Sequence, residues 1–129
     1  MTEYKELFQE DDWKTEKHVP TIEINGTDEE NVYEIKAAVG KEIPHPNKTE
    51  HHIERMKVLF RPEGEKFPYI LGAYHFSAHG ASAKGPDTST VYTEPSVVLS
   101  FKTEKPGTVF VETYCNVHGL WSNSKELKI

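Results

Sequence analysis

The chain has 129 residues, which fits one domain with its own hydrophobic core, residues 1–129. Lys and Arg total 15 against 21 Asp and Glu, a formal net charge of −6 that argues against a nucleic-acid binder, which would carry a basic stripe. Aromatic residues at 11% argue for a folded chain, and no apolar run approaches the roughly 20 residues of a membrane span.

In chain order, residues 1–13 suggest a short helical turn, with Tyr4, Leu7 and Phe8 on one side. A first strand over 21–24 ends at Asn25-Gly26, and 31–39 alternates weakly around Val32, Ile35 and Ala37. Met56, Val58 and Phe60 alternate with Lys57, Leu59 and Arg61 before the turn Pro62-Glu63-Gly64. Residues 68–77 carry Tyr69, Tyr74 and Phe76, as strands often do. Residues 78–95 are rich in Gly, Ser, Thr and Pro and read as a long ordered loop, of the kind usually kept for function or packing. Val97, Leu99 and Phe101 share one face of the next strand. After Lys105-Pro106-Gly107 another strand runs over 109–114, and 126–129 is placed as the last. About seven short strands separated by turns predict an all-β sandwich or barrel.

One cysteine stands against seven histidines. An intramolecular disulfide and a four-cysteine metal site are therefore excluded within this chain. The acidic opening residues lack the apolar stretch of a signal peptide, which predicts a cytoplasmic protein. Cys115 and His118 form C-x2-H, a spacing that lets a tight turn bring a thiolate and an imidazole to one metal. A buried structural Cys is the plain alternative. His45 and His51 lie in His-Pro-Asn-Lys-Thr-Glu-His-His, where Pro44 and Pro46 disfavour a helix or central strand. His18 follows Lys17, whose charge helps keep the imidazole neutral and suits an anionic substrate. Zinc, copper and iron all accept such donors. A cupredoxin-like electron-transfer protein is the main rival, but it needs an axial Met after the second His. Here Gly119-Leu120-Trp121-Ser122-Asn123 follow, and the only methionines are Met1 and Met56.

Several motifs in one order resemble the superoxide reductases of the desulfoferrodoxin and neelaredoxin family. They are Glu16-Lys17-His18-Val19-Pro20, Gly40-Lys41-Glu42-Ile43-Pro44-His45-Pro46-Asn47 and Thr49-Glu50-His51-His52-Ile53. Ala78-His79-Gly80, Gly85-Pro86 and Val91-Tyr92-Thr93-Glu94-Pro95 match the long loop, and Tyr114-Cys115-Asn116-Val117-His118-Gly119-Leu120-Trp121 matches the C-terminal signature. The resemblance runs from about Trp13 to Trp121 and, with one Cys, is to the one-iron type. It implies an immunoglobulin-like antiparallel β-sandwich and a mononuclear non-haem iron cycling between Fe2+ and Fe3+. His18, His45, His51 and His118 would be its equatorial ligands and Cys115 its axial one. Glu16 would close the sixth position in the ferric state, with Lys17 beside it. The implied reaction is one-electron reduction of superoxide to hydrogen peroxide, with a rubredoxin-like donor and a homo-oligomer, dimer or tetramer. No nucleic acid or membrane partner is expected. Lys48 and Thr113 depart from the family's usual residues without touching a ligand position.

The remaining candidates receive plainer readings. His52 directly follows a ligand and in an extended segment points the other way. His75 and His79 are expected to make structural hydrogen bonds. Tyr114 and Trp121 are expected to shield the site. Backbone N–H groups of Asn116 and His118 are candidates to donate to the Cys115 sulfur.

Overall fold

In a computed structural model of the chain, residues 3–12 and 16–129 are described. Residues 1, 2 and 13–15 lie outside them, and with them Trp13 and part of the expected N-terminal turn. What is described of that turn is a 3-10 helix over Tyr4–Leu7 with no buried residue.

Seven strands follow among the described residues: β1 (Thr21–Gly26), β2 (Val32–Ala38), β3 (Ile53–Pro62), β4 (Tyr69–His75), β5 (Ser96–Lys102), β6 (Gly107–Cys115) and β7 (Gly119–Leu127). They form two antiparallel sheets, β1-β2-β5 and β4-β3-β6-β7, an immunoglobulin-like sandwich as expected. No described helix is long and apolar enough to cross a membrane.

The alternation that marks the strands also builds the core. In β3, Met56, Val58 and Phe60 turn inward; in β6, Val109, Val111, Thr113 and Cys115 do. From the other sheet come Ile22, Ile35, Ala37 and Val97. Ile35, Val58, Val109 and Val111 are 0% exposed. Burial of each such side chain stabilises the fold by roughly 1.5–3 kcal/mol.

The last strand differs from expectation. It begins at Gly119, directly after the Cys115–His118 loop, and ends at Leu127, so Lys128 and Ile129 lie beyond it. It pairs with β6 along its whole length, from Cys115↔Gly119 to Gly107↔Leu127. As an edge strand it needs no apolar face over 122–126, so Ser122-Asn123-Ser124-Lys125-Glu126 conceals it.

Two glycines shape the loops around one end of the sandwich. Gly80 has φ +84°, and a Cβ there would come within 2.5 Å of the Tyr92 hydroxyl. This close approach lets 78–93 fold back on itself, with Gly80 N–H donating to Val91 O and Thr93 N–H to Ala78 O. Gly40, at φ +88°, would place a Cβ 3.0 Å from the His45 backbone nitrogen, so it sets the entry to the histidine loop.

Candidate metal centre

The site forms where the inward series of β6 runs out. Cys115 is the last inward residue of that strand and is 0% exposed. A three-residue loop, Asn116-Val117-His118, then reverses the chain into β7 through Gly119 at φ +79°. This hairpin returns His118 over the cysteine. The His118 N–H donates to Cys115 Sγ at 3.4 Å, and His118 Nδ1 lies 3.9 Å from that sulfur.

His18 arrives from the turn before β1. Its carbonyl accepts from the Thr113 hydroxyl of β6, and Trp121 of β7 stacks on its ring at 4.7 Å and 12°. His45 and His51 come from the irregular segment between β2 and β3. Lys48 and His51 exchange backbone hydrogen bonds, closing that segment into a tight loop. Ligand atoms of His18, His45, His51 and Cys115 all lie within 4.8 Å of one another. His118 borders them, with Nδ1 3.1 Å from His18 Nε2.

Each imidazole is oriented by its other contacts. His18 Nδ1 donates to Glu16 Oε1 at 2.6 Å, which leaves Nε2 bare on the side of His118. His45 Nδ1 donates to the Pro46 carbonyl at 2.7 Å, and its Nε2 lies 3.4 Å from Cys115 Sγ. His51 Nε2 is buried with no hydrogen-bond partner among the described residues. A buried polar atom with nothing to bond is the mark of a group that binds something else.

Electrostatics keep these rings neutral. Burial lowers the His45 pKa to about 4, although the Pro46 carbonyl opposes it. Burial also lowers His18, against the pull of Glu16, and lowers His51 together with the charges of His118 and Lys17. Burial pushes Glu16 up, but its bonds from His18 and the nearby Lys17 outweigh it and hold the carboxyl below its ordinary value. A neutral imidazole is the form that ligates a metal.

Glu16 therefore stands behind His18, with its carboxylate turned onto that ring. Lys17 is half-buried beside it, and its charge is felt at Glu16, His18, His45 and His51. His52 faces away as expected: its Nδ1 meets Lys48 O, and its ring stacks on His79. His79 makes structural hydrogen bonds, and exposed His75 pairs with Glu54.

Two expectations need correction. The Asn116 N–H donates to the His52 carbonyl rather than to the sulfur. Tyr114 sits on the opposite face of β6 from Cys115, in a cleft with Tyr4, Tyr74 and Leu120, so Trp121 shields the site without it. The sequence alone also gave no sign of the Asn116 side chain's part. Its Oδ1 accepts from His52 N–H and its Nδ2 donates to Glu50 O, both at 2.9 Å, which ties the His51 loop to the Cys115 loop. An Asn between Cys115 and His118 reads only as a turn residue.

Known proteins resemble this chain in sequence and in fold. The family described as desulfoferrodoxin matches residues 10–124. A superoxide reductase of Pyrococcus furiosus is 50% identical over 95% of this chain and 98% of its own. A neelaredoxin of Megalodesulfovibrio gigas is 45% identical over 96% of each chain. The solved superoxide reductase (neelaredoxin) of Archaeoglobus fulgidus in the reduced form superposes with a TM-score of 0.91 at 54% identity, covering 95% of this chain and 99% of that one. The chain belongs to the desulfoferrodoxin family.

Proposed function

We propose that this protein is a superoxide reductase whose metal centre is a single iron held by His18, His45, His51, His118 and Cys115, and by Glu16 in the ferric state. The observation that carries the reading is the convergence of a buried thiol and neutral imidazoles, one with an orphaned buried nitrogen, in a chain half identical to a superoxide reductase. The donor set suits iron, which accepts mixed imidazole and thiolate ligation. Bound there, the iron would supply the single electron that, with two protons, turns superoxide into hydrogen peroxide.

The chain's own residues do the rest. Lys17 provides local positive potential in a protein of net charge −6, drawing the superoxide anion to this end of the sandwich. Its ammonium is also a cationic donor that can order water for protonation. With its carboxylate turned onto His18, Glu16 holds the proton on Nδ1 and so fixes which nitrogen faces the centre; to ligate ferric iron it would have to leave that ring. The His118 N–H on Cys115 Sγ tempers the electron donation of the thiolate. His118 and Val117 are exposed, so a small anion can enter and peroxide can leave without a channel.

A cytoplasmic setting, a homo-oligomer and re-reduction by a rubredoxin-like protein complete the proposal. No observation favours the cupredoxin alternative: Met56 is 1% exposed within the core. The test is stopped-flow mixing of the reduced, iron-loaded protein with superoxide. One peroxide formed per iron oxidised, without dioxygen release, supports the reading. Stoichiometric dioxygen would mark a dismutase instead.

A further inference from the structure

His79 lies outside the donor cluster, on the long loop, yet it is only 6% exposed. Both of its ring nitrogens face oxygen acceptors. Nε2 lies 2.6 Å from the Phe76 carbonyl, and Nδ1 lies 2.8 Å from Asn47 Oδ1. The Asn47 amide is itself oriented, because its Nδ2 donates to Thr93 O at 2.8 Å. The His79 carbonyl accepts from the Thr49 hydroxyl at 2.6 Å, and the ring stacks on His52 at 3.5 Å and 4°. One residue thus grips Asn47, Thr49 and His52. These are spaced along the segment that carries His45 and His51. Asp87 adds a further tie from the same loop, accepting from Thr49 N–H and donating its own N–H to Thr49 Oγ1.

A segment of irregular backbone holding two imidazoles cannot fix their positions by itself. The β3 strand begins only at Ile53, so no strand pairing of the sandwich supports 45–51. We infer that His79 is a positioning residue for the metal centre, a buried clasp through which the long loop fixes the segment bearing His45 and His51. The inference rests on the metal-centre reading above. It gives the long loop a role, that of holding the segment with two ligands in place. Burial pulls the His79 ring toward neutrality, while two acceptors favour its doubly protonated form. The clasp does not depend on that balance, since the stack and the carbonyl bond persist in either form.

The test uses the iron-loaded protein and three variants, His79→Phe, Asn47→Ala and the double variant. His79→Phe keeps an aromatic ring for the stack and removes both ring nitrogens with their hydrogen bonds. Iron release to an excess of chelator, the visible spectrum of the oxidised protein and thermal melting are measured for each. The clasp predicts release about tenfold faster in each single variant, as for other groups that orient metal ligands. It also predicts a shifted visible band, and a double variant no worse than the more affected single one, because the two residues act as one unit. If His79→Phe does not fold, Asn47→Ala carries the same prediction on a half-buried side chain. Release within twofold of wild type in the folded variants, with only melting lowered, would overturn the inference. So would release effects that multiply in the double variant. A wild-type protein that retains no iron would instead remove the metal-centre reading itself, and the clasp with it.

Discussion

Asn116→Ala isolates the latch between the two loops that meet at the centre. The substitution removes two hydrogen bonds, from His52 N–H to Oδ1 and from Nδ2 to Glu50 O, and leaves the backbone bond from Asn116 N–H to His52 O. Each bond contributes roughly 0.5–1.5 kcal/mol, and this exposed site lies toward the lower end, so the pair is worth about 1–2 kcal/mol. For a chain of this size that corresponds to a fall in Tm of about 4–8 °C. The effect should be larger on metal retention than on folding, because the latch fixes His51 against Cys115 and His118. Groups that orient ligands typically change metal affinity by about ten- to a hundredfold. Thermal melts of the metal-free protein and iron competition with a chelator read the two effects separately. Asn116→Asp keeps an acceptor for His52 N–H but sets a carboxylate oxygen against the Glu50 carbonyl, so it should fail to restore either property. A metal-free Tm within about 1 °C of wild type, together with unchanged iron affinity, would refute this reasoning.

The same geometry makes three further predictions. Lys17→Ile should slow the second-order reaction with superoxide and flatten its dependence on ionic strength, whereas an unchanged rate at low salt would sink the steering role. Glu16→Ala, reduced and loaded with iron, should still react with superoxide, but should bind iron less tightly because His18 Nδ1 loses its acceptor; a tenfold slower reaction would contradict a carboxylate that ligates only the ferric state. Lowering the pH should destabilise the metal-free protein, because the His45 pKa of about 4 lies below the value of 6.5 it has when unfolded. Its contribution is present in full above 6.5 and is lost as pH falls toward 4, so melts at pH 7 and pH 5 should differ in that direction, with a smaller fall in His45→Phe.

The fold was legible wherever one face of a strand is buried. Met56, Val58 and Phe60, and likewise Val97, Leu99 and Phe101, display the two-residue period because a core lies on one side only. The edge strand β7 escaped because Ser122, Asn123, Ser124, Lys125 and Glu126 give it no alternating apolar face before Leu127. The donor set was legible for a different reason. No composition or period brings residues 18, 45, 51 and 115 together; the resemblance of their motifs to the desulfoferrodoxin and neelaredoxin family implied a shared site, and the fold gathers these four. The supports of that site were harder to read. Asn116 and Asn47 act through carbonyl groups and N–H groups distant in sequence, and a hydrogen bond between two loops leaves no pattern along the chain. The position of Tyr114 could have been read: it precedes Cys115 in a strand, so the same alternation that buries the thiol turns the tyrosine to the other face.

The central claim is that five side chains from three loops hold one iron that reduces superoxide. The most direct measurement is the metal content of the purified protein, with its optical spectrum before and after oxidation. The account predicts iron near one atom per chain, colourless when reduced and blue when oxidised, with both the iron and the colour lost in Cys115→Ser. Copper or a colourless stoichiometric zinc in place of iron would contradict it.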